Sequence, residues 1–384
     1  MKSKAFVYYA PYDVRLEKKE IKCGSNDVVI KIKACGRCGT DQVIFKKGHP
    51  KVDPHAPIVL GHEIVGEIVE VGSNVRNLHE GIGYKEGERL TNEYLAFKIG
   101  EKVTVQSRIA RYCNHLMLIQ DPITILSFYI DGGYSQYMKI PEPLIRSSSV
   151  LRIPEGFSEE AAILVEPAAC ALESIFSTPH PVGVDQEGRH VFRSGILPGG
   201  YTGVIGSGTV SFIYARLAKL EGAKRVFVFV RSSEKEELVK KVDKEFIAVN
   251  ISGKTHSEIV EDVSRLTDGH LLDDVVAACS DPDAQKLMLE LYSPEGYAVG
   301  ACFGGTHEKV SDANMDNHHY RIAKTIGTSG CSTRSMETII SWLGSSKLAL
   351  DGLCSKRIWT LDDSPTEFFT AKEDGLKPIL RMEE

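Results

Sequence analysis

A thiol, an imidazole and a carboxylate stand close together near the start of the chain, in Cys38-Gly39-Thr40-Asp41 and Gly61-His62-Glu63. Zinc accepts all three donors, and a catalytic zinc typically takes three protein ligands and keeps one position open. Singly, each residue has a plainer account: Cys38 as a small buried hydrophobe, His62 as a satisfied structural histidine. Spacing alone does not choose between them.

A second stretch carries a different chemistry. An apolar run, Tyr201 to Ile205, leads into Gly206-Ser207-Gly208-Thr209-Val210-Ser211 and then a helical pattern with Val210, Ile213, Leu217 and Leu220 on one face. At such a strand-to-helix junction the first glycine makes the turn and the second lets backbone approach a pyrophosphate at the helix N-terminus. Ser211 stands where the fingerprint has a third glycine, and serine is small enough to keep helix and strand close. The expected function is dinucleotide binding through Gly206, Gly208, Thr209 and Val210. The next strand ends Val230-Arg231-Ser232-Ser233, where an NAD site usually has an acidic residue for the ribose hydroxyls. A planar guanidinium beside two hydroxyls suits a 2′-phosphate, so NADP is expected over NAD; the alternative is a solvated Arg231 with Glu234 serving the ribose.

The elements that must position these residues fall into two groups. Before about residue 150 the chain is rich in short β-branched runs, at Val28 to Lys33, Ile64 to Val71, Glu101 to Val105 and Tyr134 to Ile140. Ser73 to Gly87 reads as a long exposed loop. From the N-cap Ser158 a helix is expected through Ile175, broken or bent at Pro167, with Pro179 to Gly200 a polar connection. Then strands and helices alternate: strands Tyr201 to Ile205, Arg225 to Val230, Phe246 to Val249, Asp273 to Ala277 and Gly296 to Gly300, with helices Thr209 to Glu221, Ser233 to Lys241, His256 to Leu266 and Ala284 to Leu291 between them. Such βαβ units imply a parallel sheet. The tail adds a helix, Ser335 to Leu343, and short strands near Ile358 and Ile379.

Composition bounds the rest. A chain of 384 residues suggests two domains, and its net charge of -6 without a basic stripe argues against nucleic acid. No apolar run reaches membrane-spanning length, and the nine scattered cysteines point to reduced thiols, hence a cytoplasmic location.

Taken in order, Cys38-Gly39-Thr40-Asp41, Gly61-His62-Glu63, Val165-Glu166-Pro167 and the glycine loop resemble the zinc-dependent medium-chain dehydrogenase/reductase family, in its sorbitol and polyol dehydrogenase branch. The resemblance implies an α/β protein: a GroES-like, β-rich catalytic domain from 1–167 and 327–384, and a Rossmann domain with a doubly wound parallel sheet from 168–326, the active site lying between them. It implies one catalytic zinc per chain, with Cys38 and His62 as ligands. Glu63 is either a ligand or a close neighbouring carboxylate, and Glu166, a cysteine in alcohol-type members, either binds the metal or holds its water. Thr40 relays the substrate proton, Asp41 orients a ligating histidine, and Ser329 lines the nicotinamide pocket.

The implied reaction is reversible hydride transfer between a secondary alcohol of a polyol, sugar alcohol or its phosphate and NAD(P). A carboxylate in place of a thiolate hardens the metal site, which fits substrates that offer two oxygens. Partners are then a small alcohol or ketone and a second copy, as a homodimer or homotetramer. The chain departs from the family at the structural zinc, since Cys113 is the one cysteine where four are usual. Arg37, Arg108 and Arg111 offer charge for a substrate phosphate, with solvated surface as the simpler account. Two competing functions remain: a zinc-free reductase of the same superfamily, and a non-catalytic dinucleotide-binding sensor or scaffold.

Overall fold

The computed structural model describes residues 1–53, 55–80, 90–107, 125–305, 315–372 and 375–382. Gly81-Ile82-Gly83, Arg108, Arg111 and Cys113 lie outside the described residues. The chain divides into two compact units, Met1–Ala169 with Gly330–Glu384, and Cys170–Ser329. No helix among the described residues is long and apolar enough to cross a membrane.

The first unit is built on strands, as its β-branched runs require. Among the described residues a seven-stranded sheet runs in the order Cys354–Trp359, Lys377–Arg381, Val28–Gly36, Glu63–Val71, Lys102–Val105, Val150–Arg152, with Tyr137–Ile140 paired to Val28–Gly36. A second sheet joins Asp13–Glu20, Lys2–Ala10 and Ile58–Val59. Between them sits an aromatic core in which Phe45 stacks on Phe369 at 5.0 Å between ring centroids and Trp359 and Tyr134 pack on Phe368. Helix Gly39–Lys47 buries Ile44 and Phe45 in this core, which fixes its first turn beside the sheet.

The second unit holds a six-stranded, all-parallel sheet in the order Ile247–Asn250, Arg225–Val230, Tyr201–Ile205, Asp274–Ala277, Val299–Cys302, Lys324–Gly327. In chain order that is 3-2-1-4-5-6, the doubly wound arrangement whose switch point lies between the first strand and the fourth. Ligands of such sheets bind beyond the carboxyl ends of the strands at that point.

Four expectations are corrected. Pro167 does not break a helix: helix Glu159–Ile163 ends at Leu164 and a new helix, Val165–Phe176, begins, placing Pro167 in a first turn where its missing N–H removes no helical bond. Ser158 does cap the earlier helix, accepting from Ala161 N. The segment Pro179 to Gly200 is not a plain connection but a hairpin of Pro179–Val184 and His190–Ser194. It is anchored by His180, whose Nε2 lies 2.8 Å from the buried Asp274, while Asp274 also accepts from Leu197 N. The fifth sheet strand is Val299–Cys302, because Gly296 and Tyr297, both with positive φ, form the turn before it. Finally, part of the Ser73 to Gly87 loop is a short 3-10 helix, Val75–Glu80.

Candidate active site and metal centre

Sheet register brings the donors together. Strand Val28–Gly36 runs antiparallel to Glu63–Val71 with Gly36 opposite Glu63, so the end of one strand meets the beginning of the other. Cys38 lies two residues past Gly36, and His62 precedes Glu63. The ligand atoms of Cys38, His62 and Glu63 lie within 4.8 Å of one another. His62 and Glu63 are buried and Cys38 is half-buried.

Each donor is held by a neighbour. Cys38 is the N-cap of helix Gly39–Lys47, and Asp41 in the first turn accepts from Cys38 N at 3.1 Å and from the Tyr134 hydroxyl at 2.6 Å. Its other oxygen lies 3.5 Å from His62 Nδ1, a charge contact longer than a hydrogen bond. Strand Lys377–Arg381 pairs antiparallel with Val28–Gly36, and buried Lys377 donates from Nζ to Glu63 Oε1 at 2.6 Å. Glu166, also buried, accepts from the Ser107 hydroxyl at 2.5 Å and lies outside the three-donor group. Thr40 is exposed on the first turn after Cys38.

Gly36 makes room for this arrangement, since a Cβ there would stand 2.3 Å from Glu63 Oε2. Gly36→Ala is therefore expected to fold while pushing the Glu63 carboxylate aside, weakening zinc affinity by about 10- to 100-fold, the usual effect of disturbing a group that orients a metal site. Competition with a chromophoric chelator measures this; an unchanged affinity would show that the carboxylate position is immaterial.

Electrostatics point the same way. Burial alone would favour neutral His62, but Asp41 and Cys38 outweigh it and raise the imidazole well above its ordinary pKa. Burial raises the Glu63 carboxyl despite Lys377 and His62. Burial opposes the charge on Lys377, yet Glu63 and Cys38 prevail and raise it. Neighbouring anions thus hold protons on His62 and Lys377, while burial favours the neutral form of Glu63. Glu63 Oε2, His62 Nδ1 and Asp41 Oδ1 are moreover buried without a hydrogen-bond partner. His62 Nδ1 and Asp41 Oδ1 face each other at 3.5 Å, whereas a divalent cation would answer Glu63 Oε2, and a mixed sulfur, nitrogen and oxygen donor set suits zinc.

In the second unit, Gly206 makes the turn at φ +134 with Ser211 packed beneath it, and a Cβ on Gly206 would meet Ser211 Oγ at 2.8 Å. Gly208 caps helix Thr209–Leu220 and has open space where a side chain would be. Thr209 is buried and Val210 half-buried in the first turn. Ser232 caps helix Ser233–Val242, accepting from Lys235 N at 3.3 Å, and Ser233 is exposed. Arg231 forms an ion pair with Asp281. Ser329 is exposed just past strand Lys324–Gly327.

Sequence reasoning missed Lys377, Tyr134, Ser107 and Asp281. The single hint for Lys377 was a lysine opening an otherwise apolar run, Lys377 to Leu380. Arg37 is neither solvated nor open to a substrate phosphate: it is buried, donates to Ala371 O at 3.0 Å and lies over the Phe368 ring.

Two family models and several known proteins match the chain. Residues 24–83 match the alcohol dehydrogenase GroES-like domain family, and residues 209–345 match the zinc-binding dehydrogenase family. The chain is 27% identical to sorbitol dehydrogenase of Halalkalibacterium halodurans over 281 residues, 73% of this chain and 70% of that one. It is 24% identical to D-arabitol-phosphate dehydrogenase of Enterococcus avium over 331 residues, 86% of this chain and 82% of the relative. Among solved structures, 2R,3R-butanediol dehydrogenase of Bacillus subtilis superposes with a TM-score of 0.76 at 22% identity, covering 99% of both chains.

Proposed function

The chain belongs to the zinc-type medium-chain dehydrogenases of the alcohol dehydrogenase superfamily, and on that footing we propose that it reversibly oxidises a secondary alcohol of a polyol, a sugar alcohol or its phosphate, with NADP favoured over NAD. The observation that carries this proposal is the cluster of Cys38, His62 and Glu63, whose donors lie within 4.8 Å of one another while buried Glu63 Oε2 has no partner. These three residues would hold one zinc per chain, with Glu166 either a further ligand or the carboxylate that holds the metal's water. Zinc, when bound, polarises the substrate hydroxyl and makes it acidic near neutral pH.

The chain's own residues supply the rest. Asp41 orients His62 and is itself fixed by the Tyr134 hydroxyl. Lys377 neutralises one oxygen of Glu63 and leaves the other for the metal. Thr40, exposed beside Cys38, takes the substrate proton and passes it toward solvent. Gly206, Gly208, Thr209 and Val210 hold the pyrophosphate, Arg231 with Ser232 and Ser233 binds the 2′-phosphate, and Ser329 lies at the nicotinamide end. Polyol chemistry is supported by the relatives named for sorbitol and D-arabitol phosphate, and by a carboxylate-bearing donor set that favours substrates with two oxygens. We assign the working state to a homodimer or homotetramer.

Elemental analysis of the purified protein and turnover on a panel of free and phosphorylated polyols, with each cofactor, test the proposal. One zinc per chain and chelator-sensitive oxidation are expected. Dinucleotide binding without metal or turnover would leave a sensor, and turnover without metal a zinc-free reductase.

A further inference from the structure

Arg231 follows the second strand of the parallel sheet and Asp281 follows the fourth, and these two strands flank Tyr201–Ile205 on either side. Their ion pair therefore spans the carboxyl end of the first strand, on the side where the adenosine ribose of a dinucleotide lies in this sheet order. Both residues line one cavity of about 310 Å³, together with Ile251, Lys254 and His256. Each basic side chain of this cavity already has a carboxylate: Arg231 has Asp281, Lys254 has Asp262, and His256 has Asp283 and Glu290. Asp281 is itself fixed, because its Oδ1 accepts from Asp283 N as the N-cap of helix Pro282–Glu290.

We propose that Asp281 is the specificity-determining residue of the adenosine end: it is a latch on Arg231 that a 2′-phosphate must displace. This rests on the assignment of Arg231 to the 2′-phosphate. A phosphate matches the guanidinium fork at least as well as a carboxylate does and carries more charge, so NADP replaces what it removes. NAD brings no anion to that position and leaves Arg231 with Asp281. Once displaced, Asp281 stays close and repels the phosphate, so the preference for NADP is narrower than Arg231 alone would give.

Calorimetric titration of the full-length enzyme with adenosine 2′,5′-bisphosphate and with 5′-AMP isolates this end of the cofactor from metal and turnover. Asp281→Asn keeps a good N-cap while removing the charge. It is expected to increase the preference for the bisphosphate, as the ratio of the two Kd values, by about tenfold. Arg231→Ala is expected to bring that ratio close to one.

A lowered ratio in Arg231→Ala with no change in Asp281→Asn would overturn the latch and leave the phosphate assignment standing. Weaker 5′-AMP binding in Asp281→Asn, with the bisphosphate unaffected, would make Asp281 a ribose acceptor and also overturn the latch. An unchanged ratio in Arg231→Ala would overturn both the latch and the assignment beneath it.

Discussion

Replacing Cys38 with alanine is expected to leave a folded protein that no longer retains zinc through dialysis and whose kcat/KM falls by about a thousandfold. That loss corresponds to about 4 kcal/mol of transition-state stabilisation, in keeping with the several kcal/mol a metal supplies as a Lewis acid. The fold survives because Cys38 caps helix Gly39–Lys47 through its backbone, and the Asp41 carboxylate still meets that backbone N–H. The same variant should bind 2′,5′-ADP normally, since Gly206, Gly208 and Arg231 belong to the other unit. Zinc content by mass spectrometry and a circular dichroism melt decide the matter. Full activity with full metal content would remove Cys38 from the site.

Lys377→Met carries the second large effect, on stability first and catalysis second. Lys377 and Glu63 are both buried and pair at 2.6 Å. Removing one member of a buried pair leaves an uncompensated charge, at a cost of about 3–5 kcal/mol. For a unit of this size that lowers the melting temperature of the metal-free protein by roughly 6–15 °C. Zinc changes the outcome, because a cation at the three-donor cluster stands in for the missing ammonium. The destabilisation should be clearly smaller in the zinc-loaded variant than in the metal-free one. Equal losses in both forms would mean that Lys377 neutralises Glu63 independently of any metal.

The parts of this protein visible in its sequence were those encoded locally. Cys38, His62 and Glu63 fall at the ends of two strands only 26 residues apart from first to last, counting both, so their meeting follows from one antiparallel pairing. The parallel sheet was visible because each helix between its first four strands shows a regular apolar face and a turn at each end. Its fifth strand was placed too early because Gly296 resembles a strand start when it in fact belongs to the preceding turn.

What stayed hidden depends on long-range topology. Lys377 reaches Glu63 across 314 residues, through a sheet order that joins a late strand to an early one. Asp281 meets Arg231 only because the fourth strand lies on the far side of the first. Pro167 misled for a local reason: proline breaks a helix interior and suits a first turn, and sequence alone left the helix start at Ser158. Arg37 misled through charge, its guanidinium lying over Phe368 inside the core.

The strand that carries Lys377 also sets a timetable for the nascent chain. Cys38, His62 and Glu63 leave the ribosome before Lys377, their counter-charge, which follows 314 residues after Glu63. At ordinary elongation rates that is a delay on the order of half a minute, during which the whole second unit is made. The candidate cluster's donors are thus made well before their counter-charge, and zinc acquired in the interval would do alone what zinc and lysine later do together.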